Sequence, residues 1–249
     1  MLLDRIQNEL QEIAEAIMSV TLLDVTILNK DLKRLAGTGI YNKQVGNYAP
    51  RHSVFEKSIN TGHQYVIENP RLSDKCKYCL GKEACKEEAE VCYPIKLDGN
   101  VVGVIGMIAF TKEQKAYFLK NQDNYMNFVN RMSRLITSRI REQSLYQELS
   151  YRSVELRTII DAVDEGIIAV DKDGKILCVN KWAKDIFNIK EQDISGKKLD
   201  DIFKKNSITK VLKTKKEIKE QEEILDINNN RYRFLLSAKP IIFNSENAG

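Results

Sequence analysis

The chain has 249 residues, 43% of them hydrophobic and 30% charged, with a net charge of +4 from 39 basic and 35 acidic residues. This length allows two domains of ordinary size, and the balanced charge argues against a nucleic-acid-binding surface. The longest apolar run, residues 101–110, is too short to cross a bilayer, and the N-terminus is too charged for a signal peptide. We therefore expect a cytoplasmic protein that contacts neither membranes nor nucleic acid directly.

Helices and strands alternate in the first part of the chain. The hydrophobic spacing predicts helices over 2–18 and 53–60, and strands over 19–29, 32–36 and 64–68. The clearest hairpin covers residues 93–110, because Asp98-Gly99 between two apolar runs is typical of a tight turn. The segment between the last short strand and this hairpin lacks periodicity, and it predicts a loop with about one helical turn.

Residues 112–150 contain no proline or glycine and predict a long helix. Apolar residues follow a 4-3-4-4 spacing close to that of a coiled-coil seam, at Tyr125, Val129, Met132, Ile136 and Ile140. The spacing then slips and resumes at Leu145, Leu149, Leu156 and Ile159, as expected of a helix that leads into another domain. We expect a parallel homodimer through this helix. The alternative is a helix packed on its own domain.

A second unit begins near residue 154. Two strands are predicted around the turn at residues 171–174, followed by short helices over 181–187, 197–203 and 207–214 and by a hairpin around residues 228–230. The sequence thus predicts an α+β protein with two antiparallel-sheet domains joined by a long helix.

The main chemical signal is a cluster of four of the five cysteines in a C-x2-C-x5-C-x6-C run: Cys76, Cys79, Cys85 and Cys92. In a reducing compartment such clustering favours metal binding or redox chemistry over disulfides. Thiolates are soft ligands, and four of them suit either tetrahedral zinc or an iron–sulfur cluster. We therefore predict these four cysteines as metal ligands.

Only the first pair resembles a zinc knuckle and the other gaps are irregular, which favours an iron–sulfur cluster of the 4Fe-4S type. Zinc is the alternative, and a metal-free thiol switch is a third. Lys75, Lys77, Lys82 and Lys86 are expected to lower the thiol pKa values or to offset the charge of a cluster, while four nearby glutamates oppose this effect. Cys178 lies about a hundred residues downstream and is expected to be a core residue instead of a fifth ligand.

Residues from about 154 onward resemble a PAS domain. The resemblance is carried by the segment LRTIIDAVDEGIIAVDKDGKILCVNKWAKDIFNI, in which Asn180 occupies a position where PAS domains commonly have asparagine. A PAS sheet normally ends with one more strand than we can place before Gly249. We therefore expect the chain to be a fragment of a longer protein. No residue identifies a ligand for this domain.

Residues from about 20 to 118 resemble a GAF-like domain, and more specifically the N-terminal sensors of sigma-54-dependent transcriptional activators. The matching segments are LKRLAGTGIY, INTGHQYVIENP, the cysteine run and YPIKLDGNVVGVIGMIAF. This resemblance implies a GAF-like domain over 1–118, a signalling helix over 119–153 and a PAS domain over 154–249. It also implies missing C-terminal AAA+ and DNA-binding domains that contact sigma-54 RNA polymerase.

The resemblance implies a sensory module without enzymatic activity, in which the metal centre responds to redox state or oxygen. No phosphate-binding loop is present, and the only histidines, His52 and His63, precede the helical region, so neither ATP hydrolysis nor phosphotransfer is expected from these residues. The alternatives are the sensor half of a histidine kinase, or a zinc-stapled scaffold whose PAS domain binds a metabolite.

Overall fold

The structure is a computed structural model that describes residues 2–190, 194, 196–203, 207–227, 230–243 and 246–247. The chain divides into two compact units, 1–148 and 149–249. In the first unit the helices are α1 (Gln7–Thr21), α2 (Val54–Thr61) and α3 (Lys112–Lys120), and the strands are β1 (Asp24–Asn29), β2 (Arg34–Gly37), β3 (Tyr65–Ile67), β4 (Ala89–Leu97) and β5 (Asn100–Ala109). Short 3₁₀ helices cover Leu3–Ile6, Gly39–Gln44 and Asp74–Cys76.

The five strands form one antiparallel sheet in the order β2-β1-β5-β4-β3. Strand β5 lies at the centre and pairs with β1 along six residues and with β4 through the predicted turn at Asp98-Gly99. Both turn residues have positive φ, which is typical of the tight turns that join antiparallel strands. The hairpin prediction is therefore confirmed.

Apolar cores form on both faces of this sheet because the central strands are buried on both sides. The larger core joins α1 and the long helix to inward-facing residues such as Val91, Ile105 and Met107. The smaller core joins α2 to residues of the opposite face and includes Cys76 and Cys92. Two of the predicted ligands therefore belong to the folded interior of the unit.

Helix ends are fixed by caps that the sequence encodes. The Ser53 side chain caps α2 at its start, and Gly62 with φ +65° ends it. Thr111 and Gln114 form a capping box at the start of α3, and the Gln114 amide also donates to the Leu22 carbonyl. The helix predicted over 112–150 is interrupted at Asn121, and the longer helix α4 then runs from Gln122 to Asp161.

The first half of the predicted dimer seam is wrong. Tyr125, Val129, Ile136 and Ile140 are buried in the core of the first unit, and Met132 packs against that core. Ser133 and Thr137 on the same helix donate hydrogen bonds to the carbonyls of β4. A 3.5-residue apolar spacing fits a helix on a sheet as well as a helix on a second helix, and here the sheet is the partner.

The apolar residues in the second half of the predicted seam are exposed instead of buried. Leu145, Leu149, Leu156 and Ile159 are 57–70% exposed within a single chain. The residue range of α4 crosses the boundary between the two units.

In the second unit the end of α4 is followed by strands β6 (Ile168–Val170), β7 (Ile176–Val179), β8 (Ile218–Ile227), β9 (Asn230–Ala238), β10 (Ile242–Phe243) and β11 (Glu246–Asn247), and by helices α5 (Lys181–Phe187), α6 (Leu199–Ile202) and α7 (Ile208–Thr214). The strands pair as β6-β7, β8-β9 and β10-β11, each antiparallel. An aromatic group of Phe187, Phe203, Tyr232 and Phe234 lies in its core. The α+β class is confirmed for both units.

Asn180, singled out in the sequence, is fully buried at the start of α5. Its side-chain oxygen accepts from the amides of Ile167 and Ala183, and its side-chain nitrogen donates to the carbonyls of Ile160 and Glu165. One side chain thus binds the last turn of α4, the segment before β6 and the first turn of α5. No helix among the described residues is both long and apolar enough to cross a membrane.

Candidate metal centre

The cysteine segment is a series of tight turns with a period of three residues. The amides of Cys76, Cys79, Lys82 and Cys85 each donate to the carbonyl three residues earlier, at 3.1–3.2 Å. Only the first of these turns, Asp74–Cys76, is a 3₁₀ helix. The gaps of three and six residues between the first three cysteines match the three-residue period of the turns, although the sequence pattern appeared irregular.

Contacts with the rest of the first unit hold this loop. The Leu80 amide donates to the Arg51 carbonyl at 3.1 Å, and the Arg71 side chain donates to the Cys85 carbonyl at 2.8 Å. At Gly81, a β-carbon would lie 2.7 Å from the Pro50 ring. The backbone of the loop is thus held at Leu80, Gly81 and Cys85, after Cys79.

Cys92 reaches the same place from β4, and Glu90 accompanies it. Residues two apart on a strand point to the same face, and both side chains are buried there. One Glu90 carboxyl oxygen accepts from the Cys76 thiol at 3.8 Å, and the other accepts from the Cys92 thiol at 3.9 Å. Glu90 therefore joins the loop cysteine to the strand cysteine.

Glu87 has the equivalent position beside Cys85, whose thiol donates to it at 3.8 Å. The Tyr41 hydroxyl also donates to Glu87. The guanidinium of Arg34 lies 4.2 Å from the centre of the Tyr41 ring, and its Nε donates to Thr26 at 2.8 Å. Three of the four thiols thus contact the two carboxyl groups, and the Arg34 guanidinium lies on the face of the Tyr41 ring.

The electrostatics of this cluster favour a cation. Burial, together with the charges of Glu90 and Glu87, raises the pKa of Cys76 to about 12 and that of Cys85 to about 11. Burial also raises the pKa of Cys79, and it raises the pKa of Cys92 well above its usual value. The neighbouring thiols Cys79 and Cys85 contribute to the shift of Cys76, Cys79 contributes to that of Cys85, and Cys76 contributes to that of Cys92.

The two carboxyl groups respond in the same way. Burial raises the pKa of Glu90 well above 4.5, and the charge of Glu87 adds to this shift. Burial also raises the pKa of Glu87, although hydrogen bonds from Tyr41, Glu90 and Cys85 oppose the change. Removing protons from these thiols and carboxyl groups is favourable only when another positive charge replaces the protons.

The lowering of the thiol pKa values expected from the lysines is wrong in this geometry, whereas their compensation of a cluster's charge stays a prediction. Of the four, only Lys82 lowers the pKa of a cysteine, Cys79, and its contribution is smaller than that of burial. Lys75 and Lys77 instead lie near the faces of Tyr65 and Tyr78. Buried glutamates therefore outweigh lysines whose flexible side chains reach solvent.

The donor set fits a soft metal centre in chemistry. The four cysteines are free thiols, two of them buried and two half-buried. Among the residues that the structure describes, no group of three or more histidine, cysteine, aspartate or glutamate side chains has the geometry of a metal site. The thiols of Cys76, Cys85 and Cys92 lie against Glu90 and Glu87, and a soft cation would balance the negative charge of these groups once they are deprotonated.

The other residues considered in the sequence lie outside this cluster. Cys178 pairs with Ala169 within β6-β7 of the second unit. His63 is exposed in the turn after α2. Glu90 and Glu87 are two of the four nearby glutamates noted in the sequence, but the sequence did not identify them as hydrogen-bond partners of the thiols, and it did not identify Tyr41. The i, i+2 spacing of Glu90 and Cys92 on a strand was the signal available for the first of them.

Comparison with known proteins identifies the second unit and a homologue of most of the chain. Residues 155–249 match the model of the PAS fold. Over 195 residues, 78% of this chain, the sequence is 31% identical to a sigma-54-dependent transcriptional regulator of Escherichia coli (strain K12), UacR, whose name associates it with uric acid. A signal-transduction and transcriptional-control protein of Clostridium beijerinckii is 27% identical over 146 residues, 58% of this chain.

The chain spans only about a third of the E. coli regulator (32%) and less of the clostridial protein (22%). A chain of the crystal structure of the E. coli DhaR(N)–DhaL complex is similar in fold, with a TM-score of 0.59 and 14% identity; the match covers 100% of this chain and 88% of that one. The predicted resemblance to a sensory region with GAF-like and PAS domains is confirmed.

Proposed function

We propose that this chain is the signal-sensing region of a sigma-54-dependent regulator and that it acts through the four-cysteine cluster. It is homologous to part of such a regulator. The ATPase and DNA-binding activities that act with sigma-54 RNA polymerase would belong to domains outside these residues. The protein would be located in the cytoplasm. Both curated relatives are transcriptional-control proteins, which favours this proposal over the sensor half of a histidine kinase.

The hydrogen bonds of the Cys76, Cys85 and Cys92 thiols to Glu87 and Glu90 support the metal part of the proposal. Cys76, Cys79, Cys85 and Cys92 would be the ligands of an iron–sulfur cluster, with zinc as the alternative. A cluster would supply a reversible response to oxidation or oxygen. The protein would position the thiols through the three-residue turns and β4, and Glu90 would orient Cys76 and Cys92.

A change at the thiols has a short route through the first unit. Cys92 lies on β4, and two residues later the Pro94 carbonyl accepts from Ser133 of α4 at 3.3 Å. The Lys96 carbonyl accepts from Thr137 of α4 at 3.2 Å. A displacement of β4 would therefore act directly on α4, whose range continues into the second unit. A shift between two states needs a signal that favours one of them by a few kcal/mol.

Metal analysis of anaerobically purified protein tests the proposal. We expect iron and acid-labile sulfide in the wild-type chain, an absorbance spectrum of a cluster, and loss of both in Cys79→Ala. Cys178→Ala, a cysteine of the second unit, is the matched control and should retain the metal. A colourless protein with one zinc ion per chain would favour zinc, and full metal content in Cys79→Ala would contradict the ligand set.

A reporter assay with the full-length regulator tests the signalling role separately. Cys79→Ala should abolish the response of the reporter to oxygen, whereas Cys178→Ala should leave it unchanged. If regulation is the same in Cys79→Ala and wild type although the metal is lost, the centre only stabilises the loop. Urate is then the first small molecule to test as the signal, because the E. coli relative is named for uric acid.

We also propose a homodimer through the second half of the seam. The exposed residues Leu145, Leu149, Leu156 and Ile159 keep spacings of four, seven and three residues, which a parallel two-stranded helix can bury. Analytical ultracentrifugation tests this proposal: the wild-type chain should sediment as a dimer, and Leu149→Asp should shift it toward the monomer. A monomeric wild-type chain at micromolar concentration would contradict it.

A further inference from the structure

A cavity lies in the first unit, outside the cysteine cluster. It has a volume of about 690 Å³ and is formed by the turn after α2, the C-terminal half of β4 and the middle of α4. This volume falls within the range of small-molecule sites, roughly 300–1,000 Å³. Nothing in the proposed metal function uses this cleft.

The lining of the cleft is basic and contains no acidic side chain. It includes Lys96, Arg134 and Arg141 together with His63, Gln64 and Asn130. Arg141 donates to Asp98 at 2.6 Å at the rim, and both of these side chains are more than half exposed. Among the described residues, Lys96 and Arg134 form no ion pair. Two positive charges therefore face one concave surface without a counter-charge.

The backbone positions from which these exposed side chains extend are fixed. Asn130, Arg134 and Arg141 follow one another along a flank of α4, next to the buried positions Val129 and Ile136. Hydroxyl groups of α4 bind the carbonyls of β4, which fixes the helix against the strand. A β-bulge between Ile95 and Lys96 interrupts the alternation of β4, and bulges commonly redirect a side chain.

We propose that this cleft binds a small organic anion with phosphate or carboxylate groups, held by Lys96 and Arg134 with the Asn130 amide as a further donor. Arginine and lysine pair strongly with such groups, and a polar, concave site restricts binding to molecules of limited size. Lys96 lies four residues after Cys92 on the same strand, so an anion here would contact the strand that carries the predicted ligand.

Calorimetric titration of the full 249-residue chain at low salt tests this inference. Glucose 6-phosphate and succinate serve as the phosphate and carboxylate probes, with glucose as the neutral analogue. The double variant Lys96→Gln/Arg134→Gln should bind the preferred anion at least about tenfold more weakly. Arg131→Gln, an exposed arginine of the same helix outside the cleft, is the matched control and should bind within about twofold of wild type.

Each outcome of the titration decides the proposal. Binding of one or both anions, lost in the double variant and weakened by added salt, supports it, and the preferred probe identifies the acidic group. Equal affinity in wild type and the double variant, an equal loss in Arg131→Gln, equal binding of glucose, or no binding of either anion would overturn it. Thermal melts of every variant check folding, and the single variant Arg134→Gln replaces the double variant if the latter does not fold.

Discussion

Single buried polar residues join separate segments of this protein through hydrogen bonds. Glu90 joins two cysteines from separate segments, and Asn180 joins three segments of the second unit. Such groups are expensive to bury, and they persist only where partners satisfy them. A buried polar side chain with several hydrogen-bond partners therefore indicates where separate segments are held in fixed positions.

Replacing Asn180 with alanine should destabilise the second unit. Two backbone amides and two carbonyls would lose their partner inside the protein, and we expect a cost of about 3 kcal/mol in the free energy of unfolding. Urea unfolding followed by circular dichroism measures this cost. Lys181→Ala, the exposed neighbour, should change it by less than about 0.5 kcal/mol. Similar values for the two variants would contradict the role assigned to Asn180.

Asp24 offers a test of pH dependence away from the cysteines. Burial raises the pKa of this carboxyl above its usual 3.8, and the hydrogen bond from the Ile40 amide only partly opposes the shift. The unfolded chain therefore loses this proton at a lower pH than the folded chain, so ionisation of Asp24 reduces stability as pH rises above 3.8.

The isosteric variant Asp24→Asn should consequently have a slightly higher free energy of unfolding than wild type at neutral pH. The difference should disappear as pH falls toward 3.8, the usual pKa of the group. Unfolding curves from about pH 3 to 7 would measure it, with the exposed Asp31→Asn as control. A lower stability of Asp24→Asn at neutral pH would show that the charged carboxylate is favourable in the folded state.

At the scale of elements, α4 has two different halves. The first half is a core helix of the first unit, and the second half presents large apolar side chains to solvent in the single chain. The same spacing thus serves two different packing partners along one helix. This division predicts that substitutions in the first half lower folding stability, whereas substitutions in the second half weaken self-association.

Ile136→Ala should cost about 2–5 kcal/mol in the free energy of unfolding of the first unit, because it leaves a cavity in a fully buried position. Leu149→Ala should change that free energy by less than about 0.5 kcal/mol, yet it should weaken self-association. Chemical unfolding and sedimentation measure the two properties on the same samples. A large loss of folding stability in Leu149→Ala would show that this residue is buried within one chain.

At the scale of the whole molecule, the division into two units predicts where metal binding is located. All four predicted ligands and the residues that hold the loop lie between 1 and 148. A fragment of residues 1–148 should therefore retain the metal content of the full chain, per mole of protein. The fragment 149–249 serves as the control and should contain none.

Metal loss from the 1–148 fragment, with its circular dichroism unchanged, would mean that the second unit contributes to the site. The boundaries at 118/119 and 153/154, expected from the resemblance, stay predictions. Contact within the chain instead divides it at 148/149, inside the range of α4.

The predictability of the elements followed the strength of their local signals. The Asp98-Gly99 turn, helix α2 and helix α5 were all predicted, because each depends on residues close in sequence. The break of the long helix at Asn121 was missed, since neither glycine nor proline marks it. The one helical turn expected in the cysteine loop is present as the 3₁₀ helix Asp74–Cys76, whereas the later turns up to Cys85 were missed, because a three-residue period with few apolar residues leaves no hydrophobic pattern.

The sequence by itself determined the two-domain α+β organisation, the hairpins and the cysteine run as the chemical centre of interest, because local propensity and residue type carry this information. Only the tertiary structure decided that Tyr125, Val129, Ile136 and Ile140 pack on their own sheet and that glutamates, not lysines, set the charge around the thiols. The basic cleft was also decided at this level, because its two sides come from β4 and α4, which are separated in sequence: β4 ends at Leu97 and α4 begins only at Gln122. All three features depend on which surfaces meet when distant segments fold together, and spacing along the chain does not specify that partner.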